Sequence, residues 1–128
     1  MITLIHNGLV YAPEPLGPKD VFIAGGRIAA LAEPGHIKIE GVPLEILDAA
    51  GGLLCPGMID SHVHILGGGG EGGPATRAPE INIEDIVANG VTTVIGCLGT
   101  DSVTRHMHSL LAKARGLEAE GLTCYVFS

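Results

Sequence analysis

The sequence predicts an α/β fold in which a small β segment is followed by alternating strands and helices. In residues 1–54, short apolar runs are separated by Gly, Pro and Asn, whereas residues 55–128 alternate strand-like with helix-like segments. Aromatic residues make up only 3% of the chain and Trp is absent, so the core must consist of Ile, Leu, Val and Ala. Such a core suits tightly layered α/β packing. We therefore place a domain boundary between residues 54 and 55.

Turn residues divide the first 54 residues into short strands. Asn7-Gly8 lies between two apolar runs and favours a tight turn. Gly25-Gly26 lies between VFIA and RIAALA, which predicts a β-hairpin. Prolines predict a loop where they cluster, because each one removes a donor from a strand ladder. The cluster consists of Pro13, Pro15 and Pro18. Further along the chain, the segment LEILDAAGGLL predicts another strand and another turn.

From residue 55 onward the predicted order is strand, helix, strand, helix, strand. The strands are a segment that ends near His64, VTTVIGCLG and LTCYVF, and the helices are NIEDIVANG and SVTRHMHSLLAKARGLEAEG. The strands are almost wholly apolar, as expected when helices cover both faces of a parallel sheet. In the longer helix, Asp101 or Ser102 is the candidate N-cap and Gly121 is the candidate end. Its apolar stripe consists of Val103, Met107, Leu110, Leu111, Ala114 and Leu117.

Charge and apolar patterning exclude several classes of protein. The formal net charge is −7 and the chain has no basic stripe, so we expect no binding to nucleic acid. It has no signal peptide and no apolar run of about 18 residues, so we expect neither export nor membrane insertion. The three cysteines, Cys55, Cys97 and Cys124, each lie in an apolar run. Buried thiols in a reducing, cytoplasmic compartment explain them better than disulfides.

The last predicted strand ends the chain at Phe127-Ser128, with no helix after it. Three parallel strands and two helices would leave an open sheet edge and an uncovered face, which is a poor end for a folded domain. We therefore expect the chain to be a fragment of a longer protein.

Two histidines and an aspartate alternate at the end of the first parallel strand. Because side chains alternate across a strand, Asp60, His62 and His64 share one face. Two imidazoles about 6–7 Å apart along a strand can converge on one divalent metal ion. The carboxyl ends of parallel strands are also where α/β sheets and barrels place their sites. His62 and His64 are therefore candidate metal ligands, although two ordinary polar residues near a loop give the same pattern.

A glycine-rich loop with one carboxylate follows the histidines. The segment GGGGEGG leaves its backbone N–H groups accessible to a ligand, and Glu71 is its only charge. An isolated carboxylate in such a loop suits a bound ammonium group, and a flexible linker with a solvated glutamate is the alternative. Thr100, at the end of the second strand, is either a ligand contact or a helix cap. Arg77 either holds a carboxylate or faces solvent.

The segment GMIDSHVH, preceded by Leu-Cys-Pro, resembles the first-strand signature of the amidohydrolase superfamily, which is GxxDxHxH after a proline. The segments GGRI and LDAAGGLLCPG are similar to the small β domain of that superfamily. Within the superfamily, HILGGGGEGGPATRAPE and GCLGTDSVTRH resemble the isoaspartyl dipeptidase family. The resemblance covers the whole chain.

The resemblance implies a (β/α)8 barrel of the TIM type with a binuclear zinc site, joined to a small β-sandwich domain. Residues 55–128 would form the first three strands and two helices of the barrel, and residues 1–54 would form part of the β-sandwich. The family hydrolyses β-aspartyl dipeptides, in which aspartate is linked through its side-chain carboxyl group. Its two zinc ions are bridged by a carboxylated lysine that this chain lacks, so we expect the chain to be inactive alone. A homo-oligomer is also implied for the complete enzyme.

The resemblance also assigns roles to individual residues. His62 and His64 would ligate the more buried zinc ion, and Asp60 would orient them. Glu71 would pair with the free α-ammonium group of the substrate. The backbone at Gly69 and Thr100 would hold the substrate's α-carboxylate.

Two other functions remain open. A cyclic-amide hydrolase of the same superfamily, similar to dihydroorotase or hydantoinase, would use the same pair of histidines, but its neutral ring substrates have no ammonium group for Glu71. A non-catalytic scaffold would keep the barrel and lose the chemistry. The presence of Asp60, His62 and His64 argues against that loss.

Overall fold

The computed structural model describes residues 2–127, which form two compact units that divide between Pro56 and Gly57. The first unit is a five-stranded mixed sheet, in which β1 pairs with β2 in antiparallel and with β4 and β5 in parallel. The order is β3-β2-β1-β4, with β5 also beside β1. The strands are β1 (Ile2–Tyr11), β2 (Pro15–Ala24), β3 (Arg27–Ala32), β4 (Glu45–Asp48) and β5 (Leu53–Leu54). The predicted β character of the first half is confirmed.

The predicted hairpin turn at Gly25-Gly26 forms. Gly25 and Gly26 join β2 to β3 with φ angles of 59° and 72°, the left-handed conformation that a two-residue hairpin turn requires at both positions. The predicted turn at Asn7-Gly8 is wrong. Asn7 has a φ of 61° within β1, where the pairing with β2 shifts register between Ile5 and Gly8. Its left-handed backbone therefore makes a β-bulge instead of a chain reversal.

The proline cluster lies partly in a strand, contrary to the predicted loop. β2 begins at Pro15 and contains Pro18, which lies opposite Leu9 of β1. β3 pairs with β2 only from Asp20 to Ala24. Within residues 2–127, the first half of β2 therefore has a neighbouring strand on one side only, and a missing backbone donor costs little on the open side.

The second unit has the predicted order of strands and helices. Its strands β6, β7 and β8 lie side by side in that order and are parallel, which confirms the α/β class. In the described part of the chain, neither helix is long and apolar enough to cross a membrane. The elements are β6 (Met58–Val63), a 3-10 turn (Pro74–Thr76), α1 (Ile83–Val87), β7 (Val91–Gly96), α2 (Met107–Ala119) and β8 (Thr123–Val126). The core includes Ile65, Leu66, Ile86, Val94, Leu110, Ala114, Leu117 and Leu122.

The longer helix begins at Met107 and not at residue 102 as predicted. Asp101 is not its cap, because the Asp101 carboxylate accepts hydrogen bonds from the backbone N–H groups of Val103 and Thr104, at 3.1 and 3.0 Å, and closes a separate turn. The N-cap position is His106, in an extended conformation. The apolar stripe is wrong at Val103, which is 81% exposed. The stripe residues that α2 buries are Leu110, Ala114 and Leu117.

The cysteines are free thiols in two different environments. Cys97 and Cys124 are buried, as predicted. Cys55 is exposed, so the prediction of a buried thiol is wrong there. Cys55 directly follows β5, and a strand of only two residues does not cover its side chain.

We predict that Leu110→Ala lowers the free energy of unfolding by about 2–5 kcal/mol, because the Leu110 side chain is fully buried in the core that contains Val94 and Leu117. The next residue of α2 supplies a matched control. Leu111 is 44% exposed, so Leu111→Ala should cost about 1 kcal/mol or less. Urea denaturation of the two purified variants measures both costs. Equal costs would contradict this placement of the core.

Candidate active site

Two imidazoles lie together at the carboxyl end of β6. His62 is in the strand and His64 follows its last residue, so both side chains are on the same face of the sheet. Their ring centroids are 5.4 Å apart and the rings are nearly perpendicular, at 85°. The structure therefore brings together the two residues that the sequence singles out as candidate metal ligands.

Cys97 completes this cluster and was not expected in it. The ligand atoms of His62, His64 and Cys97 all lie within 4.8 Å of one another. His64 Nδ1 is 3.4 Å from the Cys97 carbonyl oxygen and 3.5 Å from Cys97 Sγ. The available signal was topological: Cys97 directly follows β7, as His64 directly follows β6, so parallel pairing places them at one edge.

The contacts of His64 decide which atoms of the cluster are suited to a metal ion. Its Nδ1 faces the Cys97 carbonyl, and a metal-bound imidazole commonly uses one ring nitrogen for such a contact and the other for the metal. Burial raises the pKa of the Cys97 thiol, and the Asp60 carboxylate adds to the effect. The contact of Nδ1 leaves His64 Nε2 as the ring nitrogen that is available to a metal ion.

Asp60 contacts the backbone in this structure. Its Oδ1 accepts a hydrogen bond from the His62 backbone N–H at 3.1 Å. This contact stabilises the backbone near the end of β6 and does not involve an imidazole ring. The orienting role that the resemblance assigns to Asp60 therefore stays a prediction.

Residues 67–78, which we call the glycine loop, leave the sheet after His64 and fold back on themselves. The Ala78 N–H donates to the Gly68 carbonyl at 2.8 Å, and Gly69 forms an antiparallel bridge with Arg77. A Cβ atom at Gly67 would lie 2.2 Å from the Ala78 carbonyl oxygen. Glycine is therefore required at this position because the two limbs of the loop pack closely, in addition to any access that it gives to a ligand.

Glu71 and Thr100 meet where the glycine loop approaches the end of β7. The Thr100 hydroxyl donates to Glu71 Oε1 at 2.8 Å. The pKa of Glu71 is lowered, mainly by a backbone N–H hydrogen bond and then by the Thr100 hydroxyl. Of the two interpretations of Thr100, the helix cap is wrong, because α2 begins seven residues later. The carboxylate and the hydroxyl thus form one exposed polar pair.

Asp101 is the partner of Arg77. Arg77 Nε is 2.9 Å from Asp101 Oδ2, so Arg77 holds a carboxylate of its own chain. The pKa of Asp101 is lowered to about 2, chiefly by hydrogen bonds from the Thr104 hydroxyl and backbone N–H. The Asp101 side chain is 8% exposed. The Asp101 carboxylate is therefore a little-exposed anion with a fixed set of donors.

Arg105 is the residue at this site that sequence reasoning missed. It falls in the segment predicted as the longer helix and outside the apolar stripe of that helix. In the structure it is 7% exposed and lies ahead of α2. Its guanidinium donates to the Gly68 carbonyl at 3.2 Å and to the Ala78 carbonyl at 2.6 Å. No local pattern indicates this, because both acceptors are distant in the chain.

Comparison with known proteins supplies relatives for part or all of the chain. No model of a known protein family matches it. An adenine deaminase from Chelativorans sp. (strain BNC1) is 46% identical over 55 residues, which are 43% of this chain and 9% of that protein. A dihydroorotase from Pelotomaculum thermopropionicum is 34% identical over 122 residues, which are 92% of this chain and 27% of that protein. The chain thus spans about a quarter or less of the length of these curated relatives.

Solved structures match the whole chain. A β-aspartyl dipeptidase from Fervidobacterium islandicum AW-1 has a TM-score of 0.94 and 48% identity, and the match covers 100% of this chain and 35% of that one. The same dipeptidase in complex with the β-Asp-Leu dipeptide has a TM-score of 0.92 and 48% identity, and covers 100% of this chain and 33% of that one. In sequence and in fold, the chain therefore belongs to the amidohydrolase superfamily, and over its whole length it is similar to β-aspartyl dipeptidase.

Proposed function

We propose that the protein containing this chain hydrolyses β-aspartyl dipeptides in a metal-dependent reaction. One observation carries the proposal: the glycine loop and the segment after β7 both approach the His64 ring. A Cβ atom at Gly68 or at Gly99 would lie 3.5 Å from the His64 ring. The two segments that bear Glu71 and Thr100 thus both pass along this imidazole. The proposed metal site and the proposed polar recognition site would then be adjacent, as hydrolysis of a charged dipeptide requires.

His62 and His64 would hold the metal ion, which we propose is zinc. Imidazole nitrogens are common zinc ligands, and the contact of His64 Nδ1 with the Cys97 carbonyl leaves Nε2 for the ion. When bound, the ion supplies Lewis-acid activation of the scissile carbonyl and of water. Two histidines are too few ligands for a tight catalytic site, so the remaining ligands, a second ion and the carboxylated lysine would belong to the complete enzyme. By itself the chain should be inactive.

Glu71 would bind the α-ammonium group of the substrate. Its carboxylate is held by the Thr100 hydroxyl, and its lowered pKa keeps it ionised across the neutral range. The backbone at Gly69 and Thr100 would bind the α-carboxylate. In a β-aspartyl dipeptide both charged groups are on the same carbon, so one small polar site can read both. In an α-linked dipeptide that carboxyl group is consumed by the peptide bond, so the same contacts give selectivity.

A cyclic-amide hydrolase is the second candidate. The dihydroorotase relative, at 34% identity over 92% of this chain, favours it. Glu71 argues against it, because a neutral ring substrate leaves this carboxylate without a counter-charge. The homo-oligomeric state and the cytoplasmic location of the complete enzyme also remain predictions.

We expect Glu71→Gln in the complete enzyme to lower kcat/KM for β-Asp-Leu by about 100-fold, because an ionic hydrogen bond to the ammonium group is lost. Metal content should not change. Glu118→Gln is the matched control, since the ion-pair partner of Glu118 within residues 2–127 is Arg115, on the same helix. Hydrolysis is followed for β-Asp-Leu and for its α-linked isomer. Cleavage of both isomers by the parent enzyme, or full activity in Glu71→Gln, would contradict the proposal.

His62→Asn should reduce metal affinity by more than the roughly 10–100-fold that the loss of an outer-shell partner causes, because a direct ligand is removed. Activity should fall with it. His108→Asn is the control, since His108 is exposed on α2. Elemental analysis after dialysis against a weak chelator measures the effect. Unchanged metal content in His62→Asn would rule out this histidine as a ligand.

A further inference from the structure

We infer that Arg105 is a positioning residue for substrate recognition: it clamps the glycine loop and so sets the position of Glu71. The inference rests on the proposed function, since Glu71 is the proposed ligand of the substrate ammonium group. Arg105 itself contacts neither His62 nor Glu71 in the hydrogen bonds of the described residues. Its effect would therefore pass through the backbone of the loop.

The two acceptors of Arg105 lie on opposite limbs of the glycine loop. Gly68 is on the outgoing limb and Ala78 is on the returning limb, and the guanidinium donates to both carbonyls. The Gly68 carbonyl also accepts a hydrogen bond from the Ala78 N–H. The Arg105 guanidinium and this backbone hydrogen bond therefore join the same two limbs. A planar guanidinium can span two acceptors in this way, whereas a lysine ammonium is a single point charge.

Asp101 makes this buried cation tolerable and connects it to the segment that bears Thr100. A buried charge is costly without a partner, and Asp101 Oδ2 lies 4.0 Å from Arg105 Nη1. The same carboxylate is 2.9 Å from Arg77 Nε, on the returning limb of the loop. Three charged side chains thus tie the loop that carries Glu71 to the segment that carries Thr100.

An anion site at Arg105 is the alternative use of this side chain. A cavity is lined by Arg105 together with Arg77 and Glu80. The donors of Arg105 are directed at two backbone carbonyls, and the side chain of Arg77 is paired with Asp101. Both cations are already satisfied by the chain, which favours the clamp over the binding of an external anion.

The test compares Arg105→Met and Arg105→Lys with Arg115→Met in the complete, metal-loaded enzyme. Arg115 is the control because its side chain is 71% exposed on α2. For Arg105→Met we expect KM for β-Asp-Leu to rise at least about tenfold, since small misplacements of a binding group are costly. Metal content and kcat should stay close to those of the parent. Arg105→Lys should restore little, because a compact ammonium lacks the planar fork with which the guanidinium reaches both carbonyls.

Two further readouts separate positioning from a general loss of stability. Hydrogen exchange at the Ala78 amide should accelerate in Arg105→Met and not in Arg115→Met, because this amide donates across the clamp. In a Glu71→Gln background, Arg105→Met should change KM by a smaller factor than in the parent. An equal factor in both backgrounds, or an unchanged KM, would overturn the inference while leaving the proposed function intact. A parent enzyme that does not cleave β-Asp-Leu would overturn the proposed function and, with it, this inference.

Discussion

The parallel pairing of β6 with β7 is the constraint on which the rest of the site depends. It brings the carboxyl ends of both strands to one edge of the sheet, and the Cys97 N–H donates to the Val63 carbonyl at 2.9 Å just past the strand ends. His64 and Thr100 then leave from the same edge. The register of the two strands is therefore what brings them close. A one-residue slip of β6 would turn both histidines to the other face and separate them from the glycine loop.

The glycine loop is ordered by packing and charge, although its composition resembles that of a flexible linker. Gly67 and Gly69 have positive φ angles, and at each of them a Cβ atom would lie less than 2.5 Å from a carbonyl oxygen of the returning limb. The glycines therefore allow the two limbs to approach, and the Arg105 guanidinium then holds them together through two carbonyls. Because Glu71 lies in this loop and not in a helix or strand, its position depends on the contacts that hold the two limbs together. The glycines that leave the loop without side chains therefore also allow the close packing that holds Glu71 in place.

Sequence reasoning succeeded where a short segment determines its own conformation. Gly25-Gly26 reverses the chain because both residues accept a positive φ, and strand alternation alone places the two histidines on one face. It failed where remote groups compete with a local preference. The apolar spacing of Val103 predicts helix, but Asp101 closes a turn there, and Arg105 donates to carbonyls 27 and 37 residues away. These contacts keep residues 102–106 out of α2, and neither acceptor can be read from the residues around Arg105.

The distribution of charge explains why Glu71 is suited to an ammonium group. A Cβ atom at Gly70 would lie 3.6 Å from Arg77 Cγ and 3.8 Å from Asp101 Cβ, so a cation and a second anion lie beside the residue that precedes Glu71. Asp101 takes both nearby cations, Arg77 and Arg105. Among residues 2–127, Glu71 is consequently left without an ion-pair partner and is held only by neutral donors. A carboxylate paired with arginine would have to give up that partner before it could bind a substrate cation, whereas Glu71 can bind one directly. The pairing of both arginines with Asp101 thus leaves the exposed Glu71 carboxylate able to accept a cation from outside the chain.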